Sequence, residues 1–211
     1  MPSTSPTFTE LALIEPAVYW RVFALDYQAE QFEVFHRTLL TRWTHYLGTQ
    51  AILACFFLLA WGHGFAPLVL GGLLSLWYLR MNVFVGLVAT LQLGVLALVA
   101  SLASARGLGA WHALLGLGVL AAAQNVSHSV EPVPPIITGR GFETFPCYWA
   151  QASTPHRARL LALNALYLPL ALVSAPRLFA VHVLRAMQRL GWRRTWALEL
   201  AARADVILGA K

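Results

Sequence analysis

Leu114-Leu-Gly-Leu-Gly-Val-Leu-Ala-Ala-Ala123 runs without a charge into Gln124-Asn-Val-Ser-His128-Ser-Val-Glu131-Pro132. The first stretch reads as a membrane-spanning helix of small apolar residues. The second puts an amide, an imidazole and a carboxylate at i, i+4 and i+7, each about one helical turn from the next, before Pro132 ends the helix. An apolar span has no need of such groups. An ionisable cluster at the end of a span marks a functional site by default.

Composition agrees with a membrane setting. The 211 residues are 58% hydrophobic and 11% charged, with mean hydropathy +0.62, where a soluble domain carries roughly 25% charged residues. Four apolar runs, about 47–62, 65–79, 83–103 and 109–126, read as four full transmembrane helices. The second and third form a hairpin across Arg80-Met-Asn82. A fifth run, 160–184, carries Pro169, Pro176 and Arg177, and reads as a Pro-broken segment, either re-entrant or a pair of half-helices. The fold class is therefore all-α, a polytopic membrane helical bundle. Residues 1–16 form a flexible start, 17–184 a single membrane-embedded helical domain, and 185–211 a basic amphipathic tail. Residues 17–45 read as an amphipathic helix, with Asp26, Glu30, Glu33 and Arg37 on a solvated face and a supporting Glu33–Arg37 pair.

The charge balance is +6, from 15 Lys+Arg against 9 Asp+Glu. It sets topology and meets anionic headgroups; no basic-aromatic stretch resembles a nucleic-acid module. With a cytoplasmic N-terminus, Arg21, Arg37, Arg42, Arg80, Arg140, Arg157 and Arg159 face the cytoplasm and Arg106 lies outside. A re-entrant fifth segment keeps the C-terminus cytoplasmic too. This is a multi-pass integral membrane protein, of the inner membrane in a bacterium. The first 46 residues are too polar for a signal peptide, so the run from Leu47 is a retained span. Cys55, in a span, and Cys147, in a loop, make neither a disulfide framework nor a zinc knuckle. There is no G-x-S-x-G, phosphate loop or dinucleotide fingerprint.

Topology sorts the seven histidines by depth. His36, His45 and His128 fall at the cytoplasmic face, with His156 in the adjoining loop and Glu131 as the nearby carboxylate. His63 and His112 fall at the opposite face; sixteen helical residues separate His112 from His128 by roughly 24 Å. His36 and His45 are nine apart, on opposite sides of a straight helix, and Arg37-Thr-Leu-Leu-Thr41 has no proline or glycine. Either the helix breaks there or only one of the two points inward. Imidazoles with a carboxylate suit Fe(II) that activates oxygen, and zinc accepts them as well. The plain alternative is a set of headgroup-level histidines that cap helices or bind phosphates.

Two patterns together resemble the family of small membrane proteins that includes the 2-hydroxy fatty acid dioxygenase of fatty-acid α-oxidation. The first is His, eight residues, His, then glycine: His36-Arg-Thr-Leu-Leu-Thr-Arg-Trp-Thr-His45-Tyr-Leu-Gly48. The second is Gln, three residues, His, then Glu and Pro: Gln124-Asn-Val-Ser-His128-Ser-Val-Glu131, with Pro134 and Pro135 following. The resemblance covers roughly residues 25–136. It departs at Thr41 (asparagine in the family), Gln50 (proline), Ser127 (glycine) and in the carboxylate, which comes three residues after His128 rather than four. The resemblance implies a small helical bundle, Fe(II) and O2, and shortening of a 2-hydroxy fatty acid by one carbon. It implies His36, His45 and His128 as iron ligands. Glu131 would be a ligand or orient one, and Gln124 would hydrogen-bond a ligand or the substrate. Arg37, Arg42 or Arg140 would pair the substrate carboxylate, and Trp43, Phe56 or Trp149 would wall its alkyl chain. The reading is a Fe(II)-dependent membrane dioxygenase acting on a long-chain lipid. Its rivals are a non-enzymatic lipid-binding or assembly protein and a metal-dependent isomerase or cyclase of an apolar substrate.

Overall fold

The computed structural model describes residues 11–13, 21–131, 136–138, 153–193, 195–196, 198–199 and 201–202. Among these, six α-helices carry the chain: α1 (Leu25–Phe35), α2 (Leu39–Trp61), α3 (Ala66–Met81), α4 (Val83–Ala105), α5 (Ala110–Ser127) and α6 (Thr154–Arg189). α5 continues into a 3-10 turn, His128–Val130. Two three-residue strands, β1 (Leu11–Leu13) and β2 (Ile136–Thr138), pair antiparallel with Leu11 opposite Thr138. They fall in stretches expected to be a loose start and a polar loop. Arg140, Trp149 and most of both stretches lie outside the described residues.

Each of the four apolar runs forms one helix, α2 to α5. The turn between α3 and α4 is a single residue, Asn82, in extended conformation (φ −164°, ψ 130°). Its Oδ1 accepts the Val85 N–H at 3.1 Å, capping α4. So tight a turn presses the two helices together, and Gly86 permits it: a Cβ there would lie 2.6 Å from the Leu79 backbone. α2 and α5 run antiparallel. Thr41 Oγ1 donates to the Ser127 carbonyl at 2.8 Å where α2 starts and α5 ends. Further along, a Cβ on Gly116 would stand 3.0 Å from Cys55 Sγ.

The bundle is inside-out relative to a water-soluble one. α4 buries Val85, Gly86, Ala89, Leu93 and Ala100 and exposes Leu87, Leu91, Val95 and Leu98. Small residues face the neighbouring helix and most large ones face outward, the pattern of packing within lipid. α2 and α4 are long and apolar enough to cross a membrane, and only 28% of the apolar window of α4 is buried within the protein. α3 and most of α5 are shorter apolar helices.

Two expectations fail at the ends of the chain. The fifth apolar run is not broken: α6 is one helix of 36 residues passing through positions 169 and 176. An interior proline removes one hydrogen bond and crowds one carbonyl, so it bends a helix more readily than it ends one. The half of α6 beyond Pro176 is held by burial of Leu178, Phe179, Val181, Val183 and Leu184. Nor is 17–45 one amphipathic helix with a solvated charged face. α1 ends at Phe35, Arg37 lies outside it, and Glu33 is 4% exposed. Glu33 pairs with Arg42 of α2 at 2.9 Å and with Arg185 of α6, a buried junction of three helices rather than a wet surface.

Candidate metal centre

The site starts with the interruption between α1 and α2, at His36-Arg37-Thr38, where no residue type demands one. Glu131 makes it. This carboxylate is fully buried. Its Oε2 accepts the Arg37 N–H at 2.8 Å. Its Oε1 accepts the Thr38 N–H at 2.9 Å and the Thr38 hydroxyl at 2.7 Å. The anion therefore sits at the N-terminus of α2, where free amide hydrogens and the helix dipole both favour negative charge. Thr38, extended at φ −83° and ψ 150°, is the N-cap, and its Oγ1 also accepts the Thr41 N–H at 3.3 Å. On the other side of the gap, Arg42 Nε donates to the His36 carbonyl at 2.6 Å while its Nη2 donates to Glu33. Glu131 takes up the amides that a continuous helix would have used, and Arg42 takes up a carbonyl.

The break turns His36 onto the side of His45. The ring centroids of His36, His45 and His128 form a near-equilateral triangle, 4.4, 4.8 and 4.7 Å on a side. All three are buried, at 6%, 3% and 3% exposure. His36 Nδ1 donates to the Phe32 carbonyl at 2.9 Å, and His45 Nδ1 donates to the Thr41 carbonyl at 3.0 Å. A carbonyl only accepts, so both rings carry their proton on Nδ1 and present Nε2 as a lone pair. His45 Nε2 lies 3.2 Å from His128 Nε2. His36 Nε2 and His128 Nδ1 are buried with no partner among the described residues.

One nitrogen from each ring lies within 4.8 Å of the others. Nitrogens bound to one ion at 2.0–2.1 Å stand about 3.0–3.4 Å apart, so the His45–His128 spacing already fits a shared ion. Without a metal this contact is a hydrogen bond, His128 Nε2–H donating to the His45 lone pair, and the His36 Nε2 lone pair is left buried without a partner among the described residues. Burial, with His45 and His128 beside it, pushes the His36 imidazole well below its usual range. Burial alone takes His128, in the turn beyond α5, to about 3. Both are thus neutral at pH 7, the form that binds metal.

The remaining candidates have other work. Both Glu131 oxygens are engaged by Arg37 and Thr38, so Glu131 shapes the cluster rather than joining its nitrogens. Gln124, 2% exposed, donates to Thr49 Oγ1 at 3.4 Å and fills the space over Gly48, where a Cβ would meet its Nε2 at 2.8 Å. It makes no hydrogen bond to the three histidines. The Arg42 guanidinium is committed to His36 and Glu33, which removes it as a free carboxylate clamp. Arg37 is half-buried beside the break, and Arg140 lies outside the described residues. Thr41, asparagine in the resembling family, bonds to Ser127, and Ser127 Oγ donates to the Gln124 carbonyl at 2.7 Å. His63, in the turn after α2, and His112, in the first turn of α5, are both exposed, at the opposite end of the bundle from the cluster as expected.

The sequence reading leaves His182 unassigned, although Leu178-Phe-Ala-Val-His182-Val-Leu184 carries the signal that singles out His128, one imidazole in an apolar helical run. His182 is 2% exposed. It packs edge-on to Phe32 at 5.2 Å and to Tyr46 at 5.5 Å. Arg177, one and a half turns earlier on α6, is also buried and donates to Gln28 Oε1 at 2.7 Å. Three buried histidines of this chain thus stand close enough together to hold a metal ion. No family model, no curated protein and no solved structure matches the chain.

Proposed function

We propose that this chain is a multi-pass membrane enzyme that binds Fe(II) through His36, His45 and His128 and uses O2 to oxidise a long-chain lipid substrate. The observation that carries the reading is the set of converging, neutral, buried imidazole nitrogens, two with their tautomer fixed by a backbone carbonyl. Fe(II) bound there would supply O2 activation. The chain's own residues prepare it: Phe32 and Thr41 carbonyls orient the ligand rings, Glu131 holds the break that lets them meet, and the apolar walls exclude water.

Four antiparallel spans, α2 to α5, put the histidines at one membrane face. The outward Leu, Val and Phe side chains of α3 and α4 support lipid contact. The basic residues Arg37, Arg42 and Arg80 lie toward the histidine end and Arg106 toward the other, which supports a cytoplasmic site. The basic C-terminal segment belongs to that same end: Arg185 pairs with Glu33, and Trp192 packs on Phe84 in the first turn of α4. The N- and C-terminal segments are therefore cytoplasmic.

The two-part pattern shared with the 2-hydroxy fatty acid dioxygenase family favours a 2-hydroxy fatty acid as the lipid. In that reaction one O2 accepts the four electrons released as the 2-hydroxy acid becomes the acid one carbon shorter, with carbon dioxide and water as the other products. A second reading draws on the donor set. It holds three histidines and no carboxylate, a set that zinc also takes, and zinc would make the protein an isomerase or cyclase of an apolar substrate.

Metal analysis of the purified, detergent-solubilised protein decides between them. About one iron per chain, absent in His128→Ala, together with O2 uptake on adding a 2-hydroxy fatty acid, supports the oxygenase. Zinc in place of iron with no O2 uptake supports the second reading. A well-folded protein that takes up neither metal leaves the histidines as helix-capping groups of a non-enzymatic lipid-binding protein.

A further inference from the structure

We propose that His182 is the hydrogen-bond donor to whatever small ligand or substrate oxygen occupies the open coordination position of the histidine cluster. The inference rests on the metal reading and adds a fourth histidine with a different role. His182 reaches the site from α6, outside the stretch that resembles any family.

Its position is fixed by two aromatic rings. Phe32 lies stacked on His36, with centroids 4.1 Å apart and planes 14° apart. The same Phe32 meets His182 edge-on at 83°. Tyr46, next in sequence to the ligand His45, also packs against His182. His182 therefore bridges the seam between the α1 and α2 halves of the cluster, on the side covered by α6. It lies within Coulomb range of both His36 and His45, yet its nitrogens are not among those that gather within 4.8 Å. It is thus a neighbour of the three ligands rather than one of them.

Its polar atoms need a partner. Every imidazole has at least one N–H, and burying it unpartnered costs roughly 1–3 kcal/mol. Neither His182 nitrogen has a hydrogen-bond partner among the described residues. Phe or Leu would pack as well between Phe32 and Tyr46 without that penalty. A ligand oxygen in the site supplies the partner that this N–H lacks among the described residues. For a 2-hydroxy acid, the natural acceptors are the hydroxyl and carboxylate oxygens nearest the metal.

The test uses the full-length protein loaded with Co(II), whose visible bands report the donors around the ion, and azide as the probe. Wild type binds about one Co(II) per chain and then azide. His182→Ala keeps the Co(II) and binds azide about tenfold more weakly, the loss expected for one hydrogen bond to a charged ligand. His182→Gln, which restores an N–H donor, recovers most of that affinity, a rescue that packing alone would not give. Equal azide affinity in wild type and His182→Ala overturns the proposal while leaving the metal site intact. Loss of Co(II) in both His182 variants also overturns it, by making His182 a fourth ligand. A folded wild type that binds no Co(II) overturns the metal reading beneath it.

Discussion

The α2–α5 bundle and the junction where α1 and α6 meet it are built on opposite rules. In the bundle the polar content is low and the large apolar side chains mostly point out, as on α4, where Leu87, Leu91 and Leu98 are exposed and Ala89 and Ala100 are buried. The junction buries charged and polar groups beside its apolar ones: Gln28, Glu33, His36, Arg177, His182 and Gln188 are all under 10% exposed. The bundle relies on close backbone approach between small residues, as where Gly86 meets Leu79 and Gly116 meets Cys55. The junction is tied by polar contacts between helices, Glu33 with Arg42 and Arg185 and Arg177 with Gln28. The candidate site lies where the two meet, with His45 from α2 and His128 from the turn after α5 facing His36. The bundle is the support, and the junction shapes the site.

The largest effect expected from this contrast comes from Glu131→Ala. It removes one carboxylate that receives three hydrogen bonds and leaves two amide hydrogens buried beside the break. By the scale of broken buried charge interactions, stability falls by about 3–5 kcal/mol, and the histidines lose their common centre. Thermal unfolding in detergent should show the drop, and metal content should fall to background even in the fraction that remains folded. Full metal occupancy in Glu131→Ala would mean that the break needs no anion.

Glu33→Gln comes next. Glu33 joins α1 to Arg42 and Arg185, and the amide leaves those partly exposed guanidiniums facing a neutral group. The expected loss is about 1–2 kcal/mol, with metal affinity reduced less than in Glu131→Ala, because the break itself survives. The two variants separate the parts of the junction: one carboxylate forms the break and the other clamps the helices around it.

Acid acts on the junction and spares the bundle. His36 and His128 have imidazole pKa values lowered by burial. Above about pH 6.5 they are neutral both folded and unfolded, and contribute no pH dependence. Below it the unfolded chain takes up protons that the folded chain refuses, so stability declines as pH falls, towards about 3 for His128. From pH 6.5 to 5.5 the loss is about 1 kcal/mol for each imidazole, and His128→Phe should flatten the slope by its share. Denaturant unfolding of metal-free protein across that range is the measurement. An unchanged slope in His128→Phe would mean that this imidazole is not held neutral by burial.

How far these features can be read from residues alone follows the same divide. The four bundle helices are legible because each is a long apolar stretch of low charge, a property read locally. His45, Gln124 and His128 are legible for the converse reason, as polar groups beside such stretches. The break at His36–Thr38 is hidden because its cause lies 94 residues away in Glu131. Nothing between Phe35 and Leu39 disfavours a helix by itself. Glu33 reads as a solvated charge because its partners, Arg42 and Arg185, come from two other helices. Proline at 176 misleads in the other direction: its local penalty is visible in sequence, while the packing of the helix beyond it, which outweighs that penalty, is not.

The smallest effect belongs to the bundle's own polar pair, and it tests the contrast from the quiet side. Gln92 Nε2 of α4 donates to Gln50 Oε1 of α2 at 2.9 Å, midway along helices that are otherwise apolar. Hydrogen bonds between membrane helices average about 0.6 kcal/mol, because helices separated in lipid find other partners. Gln92→Leu alone should therefore destabilise by under about 1 kcal/mol. Gln50→Leu with Gln92→Leu removes donor and acceptor together and should be neutral or slightly stabilising, since no amide then remains unpaired. Metal content should match wild type in both. A loss of several kcal/mol, or of metal, would show that Gln50 and Gln92 belong energetically to the junction and that the polar network of the site extends down into the bundle.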